Sequence, residues 1–171
     1  SLDLGGAGKG YATDKAYDAL KESGVDYAFI SVGTSSIRVL GSKPDGTDWR
    51  VGIGHPRNPS EYFGVILLKP GEALGTSGDY QQYFEEDGIR YSHIIDPRTG
   101  LQPRELLSVT VLAGNALDAD ILSTAIFVLG VEKGMELVEE LDGVEAVLFT
   151  ADEDIFVSSG IKDRFVLQME G

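Results

Sequence analysis

The stretch LLSVTVLAGNALDADILSTAIFVL, residues 106–129, changes its hydrophobic period half-way, and that change decides the fold class. Leu106 to Ala113 alternates as a strand does. Ala116 to Leu129 is then the most hydrophobic helical run in the chain, with Asn115 placed to cap it. Asp118 falls in its first turn, where an acid suits the helix dipole. Asp120 and Thr124 lie four residues apart, hence on one face. Ala119, Ile121, Leu122, Ala125, Ile126 and Phe127 surround them, so the helix is expected to be buried nearly all round. A carboxylate in such surroundings needs a partner or a cation. Thr124 has a simple alternative, a bond to the carbonyl four residues back. Asp120 has none as simple. Oxygen ligands of this kind suit Mg²⁺.

Working outward, Val131 to Leu141 reads as a second, amphipathic helix. Val144 to Thr150 and Asp154 to Ser158 read as a closing hairpin. Upstream, a glycine turn feeds a helix that carries Tyr11, Lys15 and Leu20 and ends at Gly24. Strands are expected over Tyr27 to Ser31, Ile37 to Leu40, Trp49 to Ile53, Tyr62 to Leu68, Ala73 to Ser77 and Ile89 to Ile95. Tyr62 to Leu68 is nearly all apolar, which suits a central strand. Asp87-Gly88 is a hairpin-turn signal. Strands outnumber helices and come in adjacent runs, so the expected fold is α+β, a mainly antiparallel sheet with flanking helices.

Composition narrows the chemistry. The 171 residues suffice for one domain with a buried core. Cysteine is absent, which excludes disulfides, thiolate metal sites and a cysteine nucleophile. His55 and His93 are the only histidines, so a histidine-rich metal site is excluded too. The formal charge is −14, which repels nucleic acid and anionic lipid, so no nucleic-acid partner is expected. From Gly130 onward eleven carboxylates face three Lys or Arg, the pattern of a solvated acidic face.

Four short stretches could carry chemistry. Gly5-Gly6-Ala7-Gly8-Lys9-Gly10 precedes a helix, where backbone N–H groups and the helix start favour phosphate. It matches neither the Walker pattern, which needs Ser or Thr at Gly10, nor the dinucleotide pattern, which needs Gly at Tyr11. A tight turn with a surface lysine would look the same. His93-Ile94-Ile95-Asp96-Pro97-Arg98-Thr99-Gly100 is an apolar strand end breaking into a polar turn, a common place for a site and also an ordinary Asx turn. Thr76-Ser77-Gly78-Asp79-Tyr80 places hydroxyls just after a strand without forming a nucleophile elbow. Asp120 and Thr124 complete the set.

Together these pieces resemble the FAD:protein FMN transferase family, also called ApbE. The matching blocks run from Asp3-Leu4-Gly5-Gly6-Ala7-Gly8-Lys9-Gly10-Tyr11-Ala12-Thr13-Asp14 through Trp49-Arg50-Val51-Gly52-Ile53, Thr76 to Tyr80 and His93 to Gly100. The last block is Ser108 to Val111, followed by Ala119-Asp120 to Thr124-Ala125. The chain departs from the family pattern at Ser31, usually Asn, at Thr34, usually Gly, and at Gly8, usually Ala.

The resemblance implies an ApbE-like domain over residues 1–171, a fragment or truncated form lacking the family's N-terminal half. It implies Mg²⁺-dependent transfer of FMN from FAD to a Thr or Ser hydroxyl of a partner protein, with release of AMP. Such partners are typically flavin-carrying subunits of membrane electron-transfer complexes, and family members are often exported and membrane-anchored in bacteria. Two alternatives stay open, an FAD pyrophosphatase giving FMN and AMP, and a non-catalytic flavin-binding or interaction remnant. By the resemblance, Asp120, Thr124 and the Gly8 carbonyl hold Mg²⁺. Lys9, the backbone near Ala12, Ser77, Ile94 and Thr99 contact FAD. His93 handles the acceptor or leaving-group proton, with Asp96 orienting it.

Overall fold

The computed structural model describes residues 4–168; Asp3, the first residue of the glycine-lysine block, lies outside them. Strand β8 (Leu106–Ala113) is buried at all eight of its residues. It lies fourth in a six-stranded sheet whose order is β1 (Ala28–Val32), β2 (Ser36–Leu40), β5 (Ala73–Gly78), β8, β9 (Glu145–Thr150), β10 (Ile155–Val157). Every pair in it is antiparallel.

The alternation of β8 and β9 splits the core in two. Val109, Val111, Ala146 and Leu148 face a helical layer and pack with Ala119, Ile126 and Phe127. That layer is α1 (Gly8–Glu22), α2 (Ala116–Leu129) and α3 (Val131–Glu140). Leu107, Leu112, Val147 and Phe149 face the other way. There they meet Val51, Ile53, Phe63, Ile66 and Leu68 from a three-stranded antiparallel sheet. Its strands are β3 (Trp49–Gly54), β4 (Tyr62–Leu68) and β11 (Phe165–Leu167), with β4 in the middle. The fold is therefore α+β and mainly antiparallel, in three layers of helices, large sheet and small sheet.

Local rules account for the helix ends. Gly24 sits at φ +77°, and the bonds from its N–H to Lys21 and from the Val25 N–H to Leu20 close α1 with a Schellman cap. The Asn115 side chain accepts from the Asp118 N–H at 2.8 Å and caps α2.

The helices flank one face of the large sheet, and the small sheet covers the other. Two expectations need correction. The strand expected over Ile89 to Ile95 is β7 (Ile89–Ser92), because Ile94 leaves the hairpin and buries itself against the helical layer. Its partner β6 (Tyr83–Glu86) is exposed throughout, so it carries no core pattern; backbone pairing and the Phe84–Tyr91 stack at 5.0 Å hold it. The β9–β10 hairpin does not end the fold, since a 3-10 turn over Ser159–Ile161 leads to β11, which pairs with β4. Val166 and Leu167 remain exposed there, so backbone bonding rather than hydrophobic pattern recruits them.

Candidate active site

The site is built around the first half of α2. Asp14 of α1 holds the start of that helix: its carboxylate accepts from the N–H groups of Ala116 and Leu117 at 2.8 and 2.9 Å. It also pairs with the Arg38 guanidinium at 2.7 Å, which lies over the Tyr17 ring. Two glycines let α2 come close to its neighbours. A Cβ on Gly10 would lie 2.3 Å from the Ala116 carbonyl oxygen and 2.8 Å from the Asp120 Cβ. One on Gly75 would lie 2.4 Å from the Ala119 carbonyl. Neither position has space for a side chain, so the turn into α1 and strand β5 both press against Asp120.

Asp120 is 4% exposed. Its Oδ2 accepts from the Gly10 N–H at 2.9 Å, and its Oδ1 from the Ser36 hydroxyl at 3.0 Å. Both donors are neutral, and among the described residues no Lys or Arg pairs with it. A carboxylate has about four lone-pair positions, so two protein bonds leave room for a cation. Beside it the Thr124 hydroxyl lies 2.9 Å from the Ser77 hydroxyl, which also meets Ser123 at 2.9 Å. The bond from Thr124 back to the Asp120 carbonyl is present but long, 3.3 Å.

These groups open on a cleft of about 370 Å³. Lys9, Ser77, His93, Ile94, Asp120 and Thr124 all line it. Residues separated by most of the chain thus converge, because α1, β5, α2 and the end of β7 meet there. α1 starts at this cleft with no side-chain cap from Ala7, and the charge that meets its positive end is the Asp120 carboxylate on the Gly10 N–H. An apolar hollow of about 610 Å³, lined by Leu4, Ile95, Ile121 and Val128 among others, adjoins the cleft across Gly6, Ile95 and Thr124. Ile121 is 44% exposed there, so α2 is less enclosed than its composition suggests.

His93 Nδ1 lies 3.1 Å from the Gln82 carbonyl oxygen. A carbonyl only accepts, so Nδ1 carries the proton in this contact and Nε2 keeps its lone pair. Asp96 is not its partner. The Asp96 carboxylate takes Arg98 Nε and Nη2, each at 2.9 Å, and Arg98 reaches on to the Val128 carbonyl at 3.2 Å. Bonds from Arg98 hold the Asp96 carboxyl below the usual carboxylate range. The Asp96 turn therefore ties the end of the His93 segment to the C-terminal end of α2 instead of orienting the imidazole. Thr99 is exposed, and its hydroxyl accepts from the Leu101 N–H at 3.1 Å within the same turn. Thr99, Ala12 and Gly8 are not among the cleft-lining residues; Ala12 and Gly8 lie exposed on the first turns of α1.

Sequence reading missed Ser36, Gln81 and Gln82. Ser36 sits in a short strand with no motif, and Gln82 matters through its carbonyl, which any residue would supply. Gly10 signalled itself only as a mismatch to known phosphate loops, although its N–H and its missing Cβ are what bring α1 onto Asp120.

A sequence model of the ApbE family matches residues 1–148. The chain belongs to the ApbE family. This ApbE chain is 38% identical over 165 residues to the FAD:protein FMN transferase of Klebsiella pneumoniae (strain 342), covering 96% of the chain and 50% of that protein. It is 37% identical to the FAD:protein FMN transferase of Treponema pallidum (strain Nichols), over 95% of the chain and 47% of that protein. Among solved structures, the ApbE protein of Thermotoga maritima superposes with a TM-score of 0.86 at 37% identity, over 96% of this chain and 53% of that one. The flavin transferase ApbE of Vibrio cholerae superposes at 0.80 with 33% identity, over 95% and 52%. The chain thus spans about half the length of the curated relatives it matches.

Proposed function

We propose that the protein carrying this domain transfers FMN from FAD to a Thr or Ser hydroxyl of a partner flavoprotein, releasing AMP, with Mg²⁺ bound at the Asp120 cleft. One observation carries the reading: a buried carboxylate with only neutral hydrogen-bond donors faces a cleft that also holds Lys9. A buried charge left this way calls for a cation. The proposed ligands are Asp120, Thr124 and the Gly8 carbonyl. Among the described residues no group of three or more His, Cys, Asp or Glu could hold a metal. A hard ion that keeps several waters and takes phosphate oxygens is what one carboxylate and neutral oxygens suit. Such an ion supplies neutralisation of the pyrophosphate charge.

The chain's own residues would do the rest. Lys9, on the wall of the cleft, attracts the pyrophosphate. The acceptor hydroxyl oxygen forms a bond to the FMN phosphorus while the bridging bond to the AMP phosphate breaks, and AMP carries off the negative charge. The hydroxyl proton passes to Nε2 of His93, whose tautomer is fixed by the Gln82 carbonyl. Ser77 and Ile94 contact the substrate from the cleft wall, and the adjoining apolar hollow suits an aromatic ring system. The acceptor is proposed to be a flavin-carrying subunit of a membrane electron-transfer complex. Among the described residues no helix is long and apolar enough to cross a membrane.

The test is AMP release from FAD, followed by chromatography with and without Mg²⁺ and with and without a Thr-containing acceptor peptide. The expected result is Mg²⁺-dependent release with FMN appearing on the peptide in equal amount. Release indifferent to peptide supports the pyrophosphatase instead, and no FAD binding with Mg²⁺ present supports a non-catalytic remnant.

A further inference from the structure

A second, deeper hollow of about 600 Å³ lies between the two larger sheets. Its floor is the face of the large sheet turned away from α2, where Ile37 pairs with Leu74 and Thr76 with Thr110. One wall is Val51, Gly52, Ile53 and Gly54, four consecutive residues of β3. Gly52 and Gly54 carry no side chains, so β3 meets the hollow with the side chains of Val51 and Ile53, which share one face, and with bare backbone between them. β3 is an edge strand; among the described residues only β4 pairs with it. The hollow meets the catalytic cleft round the end of β5, because Thr76 and Gln81 line both. Gln81 is held there by its bond to the Thr76 carbonyl at 2.9 Å.

Among the described residues, the lining of the hollow is free of carboxylates. The chain has 28 acidic residues, yet no Asp or Glu lines it among the described residues. Its cationic side chains, Arg57 and Arg90, pair with Asp79 and Glu85 at 2.6 and 3.2 Å, both outside the lining. Burial pushes the Tyr80 phenol up, with the Asp79 charge adding to it, so it stays a neutral donor.

We propose that this hollow is the acceptor channel: an extended segment of the acceptor polypeptide adds as a strand to the free edge of β3 and presents its Ser or Thr hydroxyl at Thr76 and Gln81. Three observations point to a polypeptide. An unpaired strand edge recognises any extended backbone through N–H and C=O groups. A wall without carboxylates spares an acidic segment the like-charge repulsion that the −14 chain would otherwise impose. The junction with the cleft delivers the hydroxyl to the reacting phosphorus, while the pyrophosphate needs only the cleft. This inference rests on the transferase reading above.

The test uses the encoded protein and a heptapeptide pool with a fixed central Thr and random flanks. Hydrogen exchange is read at Val51 to Gly54 with and without the pool, and FMN transfer to the pool is read by mass spectrometry. Thr34→Trp adds bulk at the exposed rim of the hollow without touching the cleft. Expected are slowed exchange at β3 on adding the pool, a KM for the pool raised at least about tenfold in Thr34→Trp, and a Kd for FAD that changes less than about twofold. Unchanged pool KM and unprotected β3 amides overturn the proposal. So does a Thr34→Trp protein that loses FAD affinity and peptide transfer together, since the hollow then holds the adenylate half of FAD. Amides at β3 already protected without peptide also overturn it, because another part of the polypeptide then fills the edge. If no FAD turnover occurs at all, the transferase reading fails, while pool-dependent protection of β3 still reads the channel separately.

Discussion

At the scale of single residues, the two groups predicted to share a proton task separate cleanly. His93 draws its orientation from a main-chain carbonyl, which leaves Nε2 for the proposed proton transfer. His93→Gln is expected to lower turnover by about 10²- to 10⁴-fold, the usual weight of a positioned proton acceptor. FAD affinity, measured by titration, should hold. Asp96 belongs to a structural turn. Its carboxyl is lowered below the ordinary 3.8 by hydrogen bonds from Arg98. The sign follows: a carboxyl lowered in the folded state contributes stability that is present above its ordinary value and lost as pH falls through the folded value. The difference in urea midpoint between wild type and Asp96→Asn should therefore stay constant from neutral pH down to about 5 and shrink below the ordinary carboxylate value. A difference that grows on acidification would contradict the assignment.

At the scale of elements, the seating of α2 decides the site. Gly10 and Gly75 are in contact with the α2 backbone, so Gly10→Ala or Gly75→Ala must push the helix away. Overpacking of this kind costs about 1–3 kcal/mol, read as a fall in Tm of about 2–4 °C per kcal/mol for a chain of this size. Metal-dependent FAD binding should weaken with it. Asp14→Asn leaves Arg38 without its charge partner and weakens the cap on α2, at a cost of about 2–4 kcal/mol by urea unfolding. These elements also show what the sequence carried. α2, its Asn115 cap and β8 were legible because burial on one or both faces imposes a period. β6 and β11 were not, since their residues stay largely exposed and only backbone bonding defines them. Asp120 and Thr124 were legible as a polar pair in an apolar helix. The partner of His93 was not, because a carbonyl leaves no mark in the sequence.

At the scale of the whole molecule, three layers place an oxygen-lined cleft on the helical side of the large sheet and a carboxylate-free hollow on the other, joined at the end of β5. The relatives carry about as much chain again, and the account requires that this domain supply the metal and pyrophosphate contacts. Isothermal titration of FAD into the encoded protein, with and without Mg²⁺, tests that claim most directly when run on wild type, Asp120→Ala and Asp118→Ala. Asp118 is exposed, and among the described residues its carboxylate bonds only to the Asn115 cap, so its loss should cost about 1 kcal/mol of stability and leave binding intact. The account predicts Mg²⁺-dependent FAD binding in wild type and Asp118→Ala, and none in a folded Asp120→Ala. Retention of metal-dependent binding by Asp120→Ala would contradict it.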